Sequence, residues 1–194
     1  MSMKKKILTV MLFVVIVVMM LSGCASGSVE ETYYPDGSLK FRVEYDANGN
    51  ETKEILYYPD GSIFRWTEVE YDAAGNVAKV TKYKPDGSIN NWSEREYDAD
   101  GNMTKETWYK PDGSFSNGHE YEYDAAGNKT KETYHMNGSI VSWHEFEYDA
   151  AGNMTKNTFY SAEGGLESWM EYEYDADGKL TKQTKYKPDG SIIQ

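Results

Sequence analysis

The chain has 194 residues, enough for one domain or a modest repeat array, and it carries 32 acidic against 20 basic residues for a net charge of −12. That excess of carboxylates argues against nucleic acid as a partner, because phosphate contacts need lysine and arginine, and it repels the chain from anionic lipid, so any hold on a membrane is expected to be covalent. A single cysteine excludes an intramolecular disulfide. Residues 1–23 read as a targeting segment that is cleaved off. Lys4, Lys5 and Lys6 give it a charged start, and Ile7 to Leu21 is an apolar run of 15, short of the ~20 residues a spanning helix needs.

Leu21-Ser22-Gly23-Cys24 closes that run. It resembles the bacterial lipobox, in which an aliphatic residue and two small residues precede a cysteine. The resemblance implies cleavage before Cys24, diacylglycerol on its thiol and acylation of the new amino terminus. Two or three acyl chains hold a protein on a bilayer where one holds it only marginally. The expected location is therefore the extracytoplasmic side of a bacterial membrane, at the cell surface or in the periplasm. Residues 24–29 form the lipidated tether, with Ala25-Ser26-Gly27-Ser28 as its flexible part. No cofactor is expected beyond the covalent lipid at Cys24.

Residues 30–194 are an array. A YDxxG turn opens at Tyr45, Tyr71, Tyr97, Tyr123, Tyr148 and Tyr174, with a spacing of 26 residues four times and 25 once. A second turn, PDGS or a variant of it, places its glycine at 37, 61, 87, 113, 138, 164 and 190. A fixed period of this kind decides the fold before any local propensity does. Two strand-like stretches fill each period. One follows the YDxxGN turn and is rich in threonine and aromatics, as in Met103 to Tyr109. The other follows PDGS and alternates. In the copy from Ile140 to Tyr148, Ile140, Ser142, His144, Phe146 and Tyr148 share one face, and Val141, Trp143, Glu145 and Glu147 the other. No window has helical spacing, and glycine and proline recur too often to leave room for a helix. The expected fold is all-β: a repetitive antiparallel meander of β-hairpins, about 26 residues each, with roughly thirteen strands and a strongly twisted or coiled sheet. The meander runs from about Glu31 to Ser191-Ile192-Ile193-Gln194, and its edge strands are expected to pair with another copy or receive a partner strand.

Strands in register place equivalent residues side by side. Lys53, Lys79, Lys105, Lys131, Lys156 and Lys182 form one row, and Glu44, Glu70, Glu96, Glu122, Glu147 and Glu173 another on neighbouring strands. Trp66, Trp92, Trp143 and Trp169 form a third. This tryptophan row is the candidate ligand site, since aromatics on a rigid sheet stack on sugar faces or anchor protein interfaces. The same row would serve equally as core, because aliphatic residues are sparse. Asp98-Ala99-Asp100-Gly101-Asn102 has the look of a calcium loop, but Asn48, Ala74, Ala126 and Ala151 stand where Asp100 does, and turn chemistry accounts for the aspartate, glycine and asparagine without a metal. The pairs Glu68/Glu70 and Glu145/Glu147 are repeat positions of a surface ladder, and His119, His135 and His144 share no repeat position. No catalytic residue is expected.

YDAAGN, at 71–76, 123–128 and 148–153, resembles the YD repeat of the Rhs family, which includes bacterial Rhs shells and the related shells of insecticidal toxin complexes and teneurins. The resemblance implies hairpins that spiral into a shell, and a link in some members to carbohydrate binding. The toxin domain and processing core of large members have no counterpart in this sequence. YKPDGS, at 83–88, 109–114 and 186–191, is similar to MORN-type repeats, which are hairpin meanders used in binding and scaffolding. The expectation is a non-enzymatic, lipid-anchored platform for a glycan or protein ligand. The alternative is a structural or assembly accessory of a polymorphic-toxin system; a hydrolase is disfavoured.

Overall fold

The computed structural model describes residues 19–20 and 27–193; Cys24 and the remainder of the leader lie outside the described residues. The strands are β1 (Met19–Met20), β2 (Ser28–Tyr33), β3 (Leu39–Tyr45), β4 (Glu51–Tyr57), β5 (Ile63–Tyr71), β6 (Val77–Tyr83) and β7 (Ile89–Tyr97). They continue as β8 (Met103–Tyr109), β9 (Phe115–Tyr123), β10 (Lys129–Met136), β11 (Ser139–Tyr148), β12 (Met154–Ser161), β13 (Leu166–Tyr174) and β14 (Leu180–Tyr186). The expected start at residue 30 moves back: β2 begins at Ser28, so Ser28 and Val29 belong to the sheet and not to the tether. The expected last strand is reduced to a single bridge between Tyr186 and Ile192.

The described residues fall into two compact units. One holds those up to Glu68 together with Tyr83–Gly87; the other holds Val69–Lys82 together with those from Ser88 on. Within each unit, strands that follow one another in the chain are antiparallel neighbours in the sheet. The fold is the all-β hairpin meander that the period demands.

Two turn chemistries alternate. In the YD turn, Asp98 N donates to Asn102 O at 3.0 Å and Gly101 N to Asp98 O at 3.2 Å. The Asp98 carboxylate closes the loop by accepting from Asp100 N, Asn102 N and Asn102 Nδ2 at 3.0, 2.8 and 3.0 Å. Gly101 sits at φ +85°, which a side chain with a Cβ resists. The PDGS turn has the same span, with Lys110 N donating to Ser114 O and Gly113 N to Lys110 O, both at 2.9 Å, and Asp112 Oδ1 accepts from Ser114 N and Ser114 Oγ at 2.9 and 2.6 Å. One turn departs. Between β10 and β11 the connection shortens to Asn137-Gly138 at φ 50° and 82°, both left-handed. That is the conformation of a two-residue hairpin loop, which asparagine and glycine tolerate best, and it accounts for the single 25-residue spacing.

Four of the YD tyrosines do a further job, while Tyr45 donates to Glu30 Oε2 at 3.3 Å. Tyr97, Tyr123, Tyr148 and Tyr174 donate their hydroxyls to the carbonyls of Val77, Met103, Lys129 and Met154, at 3.0, 2.9, 2.8 and 2.8 Å. Each acceptor is the first residue of the preceding strand, so each hairpin is fastened at its open end by a side chain bonded to backbone. The core is thin. Val43 and Ile55 are the buried apolar residues among those described, and the other buried side chains are polar: Thr81, Ser93, Glu106, Thr107, Thr133 and Thr158. Ile55, Thr81, Thr107, Thr133 and Thr158 occupy one repeat position, midway along the first strand of each hairpin.

Candidate functional site

Register puts the tryptophan, lysine and glutamate rows on one face. Lys53 lies opposite Glu68 and Ile55 opposite Trp66; residues two apart in a strand share a side. Three lysines pair with the expected glutamate row, Lys131–Glu122 at 3.7 Å, Lys156–Glu147 at 3.6 Å and Lys182–Glu173 at 2.7 Å, while Lys53 and Lys105 turn to the following strand and pair with Glu68 at 2.8 Å and Glu120 at 3.5 Å. Glu68 is held below the ordinary carboxylate range chiefly by its hydrogen bond from Lys53, aided by one from the Tyr83 hydroxyl.

Each tryptophan of the row stacks on a tyrosine. The ring centroids are 4.8 Å apart for Trp66–Tyr83, 5.1 Å for Trp92–Tyr109, 5.1 Å for Trp143–Tyr160 and 5.0 Å for Trp169–Tyr186, with interplanar angles between 11° and 17°. A row lysine lies over the ring from the preceding strand: Lys53 at 5.6 Å from Trp66, Lys79 at 5.9 Å from Trp92 and Lys131 at 6.0 Å from Trp143. The indoles are therefore half-buried members of tyrosine–tryptophan stacks, capped by a lysine at Trp66, Trp92 and Trp143, and not bare rings. The stacking tyrosine stands four residues after Lys79, Lys105, Lys156 and Lys182 in the sequence.

The opposite face carries polar groups between rings. Arg95 Nε donates to Glu106 Oε1 at 2.9 Å, with the Glu106 side chain only 11% exposed. Glu132 lies 3.0 Å from His119 Nδ1 and accepts from Lys129 Nζ at 2.6 Å. Burial pushes the Glu132 carboxyl up, but Lys129 and His119 outweigh it and hold the group below its ordinary value. Tyr121 is pushed up to about 12 by burial and by the charges of Glu132 and Glu106. His119 packs among Trp108, Tyr121 and Tyr134, and His144 against Phe146 and Phe159.

The turn aspartates are occupied by their own loops. The carboxyl of Asp98 is held below its ordinary value by the Asn102 side chain and by backbone N–H groups, and eight other turn aspartates behave alike: Asp36, Asp46, Asp60, Asp72, Asp112, Asp124, Asp149 and Asp189. Oxygens engaged in this way serve the turn and not a cation. Among the described residues, no group of three or more histidine, cysteine, aspartate or glutamate side chains converges as a metal site.

Against known proteins, residues 45–89 match the Rhs repeat, residues 28–47 the MORN repeat variant, and residues 91–134 a family described as a protein of unknown function, DUF2963. The recurring unit is thus a YD repeat of the Rhs kind. Among solved structures, the crystal structure of TcdB2-TccC3-TEV is similar over 86% of this chain and 9% of its own, at 16% identity and a TM-score of 0.60. The Photorhabdus luminescens Tc holotoxin pore with a TccC3 variant is similar over the same shares, 86% and 9%, at 16% identity and a TM-score of 0.59. At such identity the likeness is one of fold, and the chain spans about a tenth of those chains' length. No curated protein matches.

Proposed function

We propose that this protein is a non-enzymatic binding platform, held on the extracytoplasmic side of a bacterial membrane by lipid on Cys24, whose sheet offers its aromatic row to a glycan or protein ligand. The observation that carries the reading is the row itself. Trp92, Trp143 and Trp169 repeat one stack geometry within one unit, and Trp66 has the same stack in the other; preorganised rings at fixed spacing suit an extended or repetitive ligand. The carboxylates that could suggest hydrolysis recur with the repeat and are taken up by lysines or turns, which supports binding over catalysis. The test is capture of cell-wall glycans and of proteins by the immobilised full chain, against the Trp92→Ala and Trp143→Ala variants. Capture that weakens in both supports the platform; capture untouched by either overturns it. Fractionation tests the anchor: Cys24→Ser should move the protein out of the membrane fraction, and a wild-type protein found water-soluble with residues 1–23 intact would refute the lipid.

A second reading is an accessory piece of a polymorphic-toxin system. It is favoured by the Rhs repeat at 45–89 and by the fold shared with Tc toxin structures over 86% of this chain. Co-purification with a large Rhs-type toxin, in place of a glycan, would select it.

A further inference from the structure

We infer that the copy between Trp92 and Trp143 is a socket for a tryptophan side chain presented by a partner polypeptide. The inference rests on the platform reading and narrows it to one position and one kind of ligand. Four copies define what surrounds an indole in this sheet. A tyrosine of the following strand lies under the ring in all four, and a row lysine reaches over it in three, those of Trp66, Trp92 and Trp143. The turn glycine of the next hairpin covers its tip: a Cβ on Gly87, Gly113, Gly164 or Gly190 would lie 3.8, 3.7, 3.5 or 4.0 Å from the Cη2 of Trp66, Trp92, Trp143 or Trp169. In one copy a glutamate two residues on accepts the indole N–H, Glu171 from Trp169 Nε1 at 3.1 Å, whereas Trp143 Nε1 is buried without a hydrogen-bond partner.

In the intervening copy Gly118 stands 26 residues after Trp92; it is buried, and the Phe115 ring lies over it, 3.5 and 3.6 Å from where a Cβ would be. Gly118 lies opposite Thr107, the buried floor position, and opposite His135, which takes the tyrosine's place. Lys105 and Glu120 keep their row positions, 3.5 Å apart. Gly138 has no atom within 4 Å of where its Cβ would be. What remains is a cavity of about 180 Å³ lined by Lys105, Thr107, Phe115, Glu120 and His135. That is well below the ~300 Å³ where pockets for whole small molecules begin and is the scale of one side-chain ring. His135 Nε2 is buried there, 3.4 Å from Glu120 Oε2 but out of line for a hydrogen bond. Lys105 favours a π face, which a sugar ring lacks, and Glu120 supplies the acceptor an indole N–H needs.

The probe is indole, titrated into the full chain while the ring signals of His135 and Phe115 are followed by NMR. Saturable shifts at both rings are expected, reproduced by N-acetyl-tryptophanamide and not by N-acetyl-leucinamide or methyl β-glucoside. Gly118→Trp supplies the ring from within and should abolish them. A Cβ at 118 would meet the Glu106 carbonyl oxygen at 2.9 Å and the Phe115 ring at 3.5 Å, so that variant needs a strand shift and a turned Phe115; His135→Ala leaves the backbone alone and should weaken indole roughly three- to tenfold, the worth of one ring pair. No saturable shift, an unchanged response in His135→Ala, or a response to the glucoside in place of indole would each overturn the socket. The two readings fail separately: ligand capture without an indole response removes the socket and leaves the platform, and an indole response with capture untouched by Trp92→Ala and Trp143→Ala does the reverse.

Discussion

The hairpin β11–β12 and the hairpin β9–β10 run the same phrase with different contents. In the first, Trp143 faces Tyr160 across the strands and their rings stack. In the second, Gly118 faces His135 at the same register position, and a cavity takes the place of the ring pair. Yet both hairpins keep the YD turn, its aspartate cage and the tyrosine bond to backbone. Turns and main-chain bonds therefore specify the hairpin. The ring pair adds stability and is free to be replaced where recognition is wanted.

The largest effect should come from acid, which strikes the turns with a caged aspartate and spares Asn137-Gly138, which has no carboxylate, and Ser161–Gly165, which has no aspartate. The nine turn aspartates are held below their ordinary value in the folded chain, so their stabilisation is complete above the unfolded value of about 3.9 and is lost as pH falls through the folded values. Stability should be level near neutrality and fall below about pH 4. Hydrogen exchange should then show the YD and PDGS turns opening before the Asn137-Gly138 turn; uniform opening would contradict the contrast. Among single substitutions, Trp143→Ala should cost about 2–3 kcal/mol by urea unfolding, less than for a fully buried tryptophan, while His135→Ala costs under about 1 kcal/mol because no ring rests on it. Glu106→Ala should cost about 2 kcal/mol, since it strands the half-buried Arg95 guanidinium. Tyr123→Phe removes a single hydroxyl bond to Met103 and should cost about 1 kcal/mol. Lys156→Ala breaks an exposed pair with Glu147 and should change stability by at most about 0.5 kcal/mol, less again in high salt.

The period made the architecture legible. Tyrosine, aspartate and glycine at fixed intervals can be read directly as turns, and turns fix where strands begin and end. The lysine and glutamate rows followed only in part: Lys53 and Lys105 each have a glutamate on both neighbouring strands, and they take Glu68 and Glu120 in place of the expected row. Strict alternation was less reliable. The register slips by one between Glu147 and Tyr148, and again at Val141, where Tyr134 faces Ser142 and His135 faces Ile140. A bulge of this kind follows from the geometry of strand ends and turns, which a period-2 count does not contain. The stacks needed cross-strand distances to be seen. The gap at Gly118 did not: counting 26 residues on from Trp92 lands on it, and the 25-residue spacing marks the same copy.

The tyrosine hydroxyls end on main-chain carbonyls, and this bears on how such a protein changes over generations. A carbonyl is the same in every residue, so each fastening accepts whatever copy comes before it. A whole hairpin can be duplicated or lost and the new junction is made as well as the old, since stability in such arrays is a sum of unit and nearest-neighbour terms. Side chains within a copy are released from that duty, as the exchange of a tryptophan for Gly118 shows. Array length and site chemistry can then be selected independently, one by recombination between copies and the other by point substitution.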